Sequence, residues 1–172
     1  MEFFEVIKKR RSVRQFKSDP IPDEHIEQIL EAAHLAPSSG NTQCTRFYVV
    51  KDPEIKQHLA TDAGHQLFIA QAPVAIVMVA DLDAVGKGYG ERGRSTYALQ
   101  DTAVAAENIL LAATALGYGS CWVGAFDEMV ATKILDLPAT LRPVAILPLG
   151  VPNEPTTRVP PRKKMEDVTK IV

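Results

Sequence analysis

Residues 73–81, PVAIVMVAD, limit the folds open to this chain more than any other stretch. A strand with one face in water alternates apolar and polar side chains, and this run does not. It is expected to be a strand buried on both faces. The second constraint is STYALQDTAVAAENILLAATALG, residues 95–117, which at 3.6 residues per turn makes about six turns of helix. Rich in alanine and apolar on most sides, it is expected to be the central, buried helix, ended by Gly117 and Gly119. A chain of 172 residues is long enough to bury such a core as one domain spanning 1–172.

Shorter elements fill the remainder. Phe3, Val6 and Ile7 fall at i, i+3, i+4, which predicts an amphipathic helix over residues 2–9. Pro22, Asp23 and Glu24 open a second helix with Ile26, Ile29, Leu30 and Ala33 as its stripe, and Pro37 stops it. The polar loop PSSGNTQ (37–43) precedes a strand, RFYVV (46–50). DPEIKQHLA (52–60) starts a helix, with a further turn over 67–72. SCWVGAF (120–126) and RPVAILPLG (142–150) read as strands on either side of a helix from Asp127 to Leu135. Residues 151–172 hold four of the 12 prolines and little apolar content, so they are expected to form an extended arm.

Charge placement says more than the total. The formal net charge is −2, yet ten of the 19 Lys and Arg residues fall in two windows, 8–17 and 158–164. The first contains RRSVRQF, residues 10–16. Nucleic-acid binding needs a broad basic surface, usually on a basic protein. Two compact cationic clusters at opposite ends of an acidic chain suit a small anion better, provided the fold brings them together. No apolar run approaches the roughly 20 residues that span a bilayer. The start, MEFFEVIKK, carries acids and no small-residue cleavage site, so no signal peptide is expected. Cys44 and Cys121 do not make a disulfide framework. A cytoplasmic location is the expectation.

Several motifs carry less than they first suggest. GYGERG (88–93) matches G-x-G-x-x-G, but six residues separate it from the end of the preceding strand at Asp81, and a dinucleotide-binding turn follows its strand at once. It is read as a flexible surface loop. His25, His34, His58 and His65 lack metal-ligand spacing with Cys or Glu, so no metal is expected. Ser38 and Ser39 have no G-x-S-x-G context. PSSGNTQ does pack hydroxyls and amides that can hydrogen-bond a heteroaromatic ring or a polyol.

RRSVRQF, PSSGNTQ, GSCWVGAF, LPLG and PPRKK stand in an order and spacing similar to the FMN-dependent nitroreductase superfamily, over nearly the whole chain. The resemblance implies an α+β fold with a mixed, largely antiparallel sheet, flanking helices and a long buried central helix. It also implies a homodimer with shared FMN sites, in which the C-terminal arm (151–172) is exchanged between subunits. By position, Arg10, Ser12 and Arg162 match a phosphate clamp, with Arg11 beside the ribityl chain and Arg14 at the pyrimidine end of the ring. Ser38, Ser39 and Asn41 match the loop laid against the flavin by the partner subunit. Gln66 matches an amide facing the polar edge of the ring, Leu149 and Gly150 the strand end near N5, and Gly124 the end of a neighbouring strand.

The chain departs from that pattern twice. Where the loop usually continues Q-P-W it reads Gln43, Cys44, Thr45, and where the tail usually reads R-K-P it reads Arg162, Lys163, Lys164. The expected activity is ping-pong transfer of reducing equivalents from NAD(P)H through FMN to nitroaromatics, quinones or activated alkenes. No residue is expected to act as a catalytic acid or base. The alternatives are flavin-based dehalogenation or flavin breakdown, for which little lid sequence exists beyond 81–95, and a non-catalytic FMN carrier.

Overall fold

The computed structural model describes residues 1–153 and 159–172. Arg158 of the second basic window and residues 154–157 of the expected arm lie outside the described residues. In chain order the elements are α1 (Phe3–Lys9), α2 (Asp23–His34), β1 (Thr45–Val50), α3 (Pro53–His58), α4 (Phe68–Gln71), β2 (Val74–Asp81), α5 (Leu82–Arg92), α6 (Ala98–Ala115), β3 (Gly119–Ser120), α7 (Glu128–Ile134), β4 (Leu141–Gly150) and α8 (Met165–Val168).

The four strands make one sheet in the order β1-β2-β4-β3, with every neighbouring pair antiparallel. The one parallel pairing among the described residues is a single bridge between Ser12 and Ser120. As the apolar run demanded, β2 is central and buried from Val74 to Ala80. Its side chains alternate between two cores. Val74, Ile76 and Met78 pack with α2 and α6 through Ile29, Ala105, Ile109 and Ala113. Ala75, Val77 and Val79 pack on the opposite face with Leu59, Ile69 and Ala131. The result is a sheet with a helical layer on each side.

Pro143 lies on β4, opposite Val79, where the register slips between Met78 and Val79. Proline has no N–H to donate, and β3 is too short to flank β4 there, so this end of the strand tolerates it. Asn108 on α6 donates its side-chain amide to the Ala32 carbonyl at 2.9 Å, tying the two long helices together.

Two expectations need correction. SCWVGAF is not a continuous strand: β3 ends at Ser120, and Val123 alone bridges Ile146. The chain turns away from the sheet there, and the Asp127 N–H reaches the Ala63 carbonyl at 2.9 Å. GYGERG is not a surface loop. Asp81 accepts from the Ala84 N–H and starts α5, which runs to Arg92 with a break at Gly90, φ 56° and ψ −140°. The long helix stands as expected: helical backbone runs without a break from a wide first turn over Gly93–Tyr97 into Ala98–Ala115. Gly93 lets that turn pack closely on α5: a Cβ there would lie 2.8 Å from the Val85 carbonyl oxygen.

Residues 151–153 leave the body extended, while the arm expected to be extended carries a short helix, α8, at Met165–Val168. Lys17 N–H donates to Val151 O at 2.9 Å and Asn153 N–H to Gln15 O at 3.0 Å, on either side of a Phe16–Pro152 bridge. Residues 159–172 are exposed throughout, including Val159, Met165, Val168 and Ile171. Phe3, Phe4 and Ile7 of α1 are exposed as well.

Candidate functional site

The cationic knot is built at the end of α1. Arg11 turns back and donates to the carbonyls of Lys8 (2.6 Å) and Arg10 (2.7 Å), which the helix end leaves without partners. The following residues run beside β3, and Val13 N–H donates to Ser120 O at 2.9 Å. Alternation buries Val13 and leaves Ser12 and Arg14 exposed. Gly119 is required here, because a Cβ would meet Val13 Cγ2 at 2.7 Å.

Above this segment lies a cavity of about 930 Å³. Arg10, Arg11, Ser12 and Arg14 line it from one end of the chain, and Arg162 lines it from the other. The two basic windows therefore meet in one concave site. Against those arginines stands one acid, Glu107, 3.7 Å from Arg10 Nε and itself half exposed. Arg14 and Arg162 make no ion pair among the described residues. Nearby, Ser120 Oγ is buried without a hydrogen-bond partner. Burial pushes the Cys121 thiol up, while Arg14, the Ser12 hydroxyl and Arg10 pull it the other way. Uncompensated planar donors around a concave space suit a compact anion such as a phosphate monoester.

The remaining sequence-derived residues lie elsewhere in the subunit. Ser38, Ser39 and Asn41 form a turn on the α2–β1 connection and do not line the arginine cavity. Ser39 donates its N–H and its hydroxyl to Asp101 on α6, at 3.0 and 2.9 Å. Gln66 donates to the Ala125 carbonyl at 3.3 Å, which places it beside Gly124, where a Cβ would lie 3.0 Å from Trp122 Nε1. Leu149 pairs with Ser120 and Gly150 with Gly119, so the sheet links them to Ser12 through β3. The Leu149 side chain itself is core. A Cβ on Gly150 would lie 2.6 Å from Pro73 Cδ, in a junction that buried Lys56 ties by donating to Ala72 O and Pro73 O.

Sequence reasoning missed Asp101, Glu107 and Tyr89. The first two are the only acids in α6, and an acid on a helix apolar on most sides was the available signal for Asp101. Tyr89 sat within the glycine motif set aside as a loop.

Comparison with known proteins agrees with the fold and motif order. The model of the Nitroreductase family matches residues 7–66 and 60–151. A protein named NADH dehydrogenase from Thermus thermophilus is 32% identical over 182 residues, covering 88% of this chain and 89% of its own. The FMN reductase (NAD(P)H) of Bacillus subtilis is 31% identical over 172 residues, covering 91% and 69%. Among solved structures, a nitroreductase family protein from Clostridium novyi NT superposes with a TM-score of 0.81 at 36% identity, covering 92% of this chain and 89% of that one. This chain belongs to the Nitroreductase family.

Proposed function

We propose that the protein is an FMN-dependent NAD(P)H oxidoreductase that works as a homodimer and reduces small electrophiles such as nitroaromatics and quinones. The observation that carries this reading is the arginine cavity, where residues 10–14 and Arg162 converge with one partly exposed carboxylate against them. Family membership and the named activities of the relatives support it.

The residues fit FMN. Arg10 and Arg162 hold the phosphate through charge-assisted, bidentate donors, and Ser12 adds its hydroxyl. Arg14, on the same cavity wall, would stabilise negative charge at the pyrimidine edge of the ring. Bound flavin supplies the chemistry of accepting reducing equivalents from a nicotinamide and passing them on. Leu149 and Gly150 offer backbone at the end of β4, while Gln66 and Gly124 stand on a second side. Ser38, Ser39 and Asn41, remote from the cavity of their own subunit, close the site of a second copy. The uncovered apolar side chains of α1 and of the arm are the surface that such a dimer buries.

Calorimetric titration of the apoprotein with FMN and with riboflavin tests the cavity. Hydrogen bonds to charged groups contribute roughly 1.5–3 kcal/mol each. Two of them to the phosphate favour FMN by about two to four decades. Equal affinity for the two flavins would reduce the arginines to a basic surface. Oxidation of NADH and NADPH with a quinone then separates an enzyme from a flavin carrier, which would bind FMN and turn over neither.

A further inference from the structure

The turn over 38–43 holds three residues in the left-handed region: Gly40 at φ 55°, Asn41 at 56° and Gln43 at 49°. Asparagine and glutamine adopt that conformation at a cost, so it persists only where the surroundings impose it. What imposes it here comes from α6. Asp101 is 7% exposed and accepts from Ser39 N–H at 3.0 Å, from Ser39 Oγ at 2.9 Å and from Cys44 Sγ at 3.4 Å. No basic side chain among the described residues pairs with this carboxylate, so these three donors stabilise it, and all three belong to the turn or to the residue that leads out of it.

The turn is held from a second direction as well. Tyr89 of α5 covers Gly40, where a Cβ would collide with the tyrosine hydroxyl. Ser38 Oγ accepts from Gln43 N–H at 2.9 Å and closes the turn on itself. Asn41 and Gln43 stay exposed. The backbone is therefore fixed from beneath while its outer groups remain available to a partner.

We propose that Asp101 is a positioning residue, which holds the Ser38–Gln43 backbone in its left-handed turn so that Ser38 and Asn41 are preset against the flavin of a second copy, with the Cys44 thiol as its third donor. The proposal rests on the flavin reading above. The cysteine suits that part, because burial and the neighbouring Asp101 push its thiol up to about 11. At neutral pH it remains a protonated donor and brings no second negative charge beside the carboxylate. The usual proline of the family pattern has no hydrogen to give, so this third contact belongs to the cysteine that departs from it.

The test compares the full-length wild type with Asp101→Asn, which keeps the shape and reverses one acceptor into a donor. Three readouts are taken: amide hydrogen exchange over 38–44, FMN affinity, and the visible circular dichroism of the flavin at saturating FMN. The expected result is at least about tenfold faster exchange at Ser39, FMN binding weaker by about a decade, and an altered dichroism in the fully loaded protein. Ser39→Ala, which keeps the backbone contact, should move the same three readouts less. A merely structural role would lower the melting temperature and leave the dichroism at saturation as in wild type, and that outcome overturns the proposal. So does unchanged exchange at Ser39. Should Asp101→Asn fail to fold, Ser39→Ala and Cys44→Ala each delete one donor and decide by the same readouts. A wild type that binds no FMN but whose exchange still responds to Asp101→Asn would overturn the flavin reading and the positioning role together, and would show the latch to be structural.

Discussion

The arginine cavity and the Asp101 latch use the same chemistry, charge-assisted hydrogen bonding, in opposite states. Around the cavity the donors outnumber the acceptors: Arg10, Arg14 and Arg162 face one half-exposed glutamate, paired with Arg10 alone. Around Asp101 every strong interaction is made inside the subunit, with three donors on one buried carboxylate. Unmet donors on a concave surface mark a place prepared for something else. Met donors in the interior mark a place that holds the chain in shape. The two regions sit at different distances from the solvent, and that difference sets how strongly each bond counts, because a buried unpaired group costs more than an exposed one.

The largest way to break the contrast is to delete one wall of the cavity. Truncation after Gly150 removes Arg162, the pairing of Val151 and Asn153 with residues 15–17, and the exposed apolar arm. Dimer and flavin should be lost together, read by light scattering and by absorbance of the purified protein. A truncated chain that still dimerises and keeps FMN would remove the arm from the site. Next in size is Arg10→Ala. It should weaken FMN by at least about one decade, the equivalent of one charged hydrogen bond, and leave riboflavin nearly unchanged. Arg14→Ala, in contrast, should weaken both flavins and lower the reduction potential of the bound one. If both variants act alike on both flavins, phosphate and ring are not read separately.

The cavity was legible in the sequence to a degree the latch was not. Clusters of like charge stand out in a string of letters, and RRSVRQF with PPRKK needed only the fold to bring them together. β2 and α6 were legible for a similar reason, since continuous apolarity has few outlets other than burial on all sides. Asp101 was hidden because its meaning lies 62 residues away, at Ser39, and an acid on an apolar helix carries no periodicity. The glycine motif misled for a local reason. Four glycine positions at 86, 88, 90 and 93 read as loop, whereas the Asp81 cap starts a helix, Gly90 serves its break and Gly93 the close packing behind it. The strand expected over 120–126 failed because β propensity is a statement about fitting a pleated surface. The chain keeps Ser120, the Cys121 N–H and Val123 on that surface and lets Trp122 and Gly124 face outward.

A third prediction separates the two regions by pH. The thiol of Cys44 is raised from the ordinary 9.0 to about 11 by burial and by Asp101. A raised folded-state value means that the neutral thiol is favoured in the native protein. The stability it contributes is complete below the unfolded value and is lost as pH rises through the folded one. At about 1.4 kcal/mol per unit, a shift of this size corresponds to at most about 2.7 kcal/mol. Wild type should therefore lose more stability than Cys44→Ser between pH 9 and pH 11, measured by denaturant unfolding. Cys121 is present in both proteins, so its own titration cancels in the difference. The arginine cavity is the same in both proteins, so the difference in stability reads the latch alone. Equal stability loss would mean that Cys44 is not held against Asp101 in solution.

The smallest effect is expected where latch and cavity of two copies would meet the acceptor. Thr45 opens β1 directly after Cys44, paired with Ala80 across the sheet. It shares its face of the strand with Phe47, which packs toward the α2–α6 core, so a larger side chain at 45 has room only toward the half-exposed end near the turn. The resemblance implies an aromatic residue here, and its replacement by threonine is expected to leave the space beside the proposed flavin wider. Thr45→Trp should fill that space without touching Arg10 or Asp101, so FMN affinity and exchange at Ser39 stay as in wild type. Acceptors should then divide by size: bulky quinones slowed by a factor of a few, consistent with about 1 kcal/mol of overpacking, and small ones hardly at all. The comparison is made on kcat/KM for a series of quinones of increasing bulk under one nicotinamide concentration. Equal slowing across the series would mean that the substitution acts through the turn and not through the acceptor space, and would join the two regions that the earlier variants are meant to keep apart.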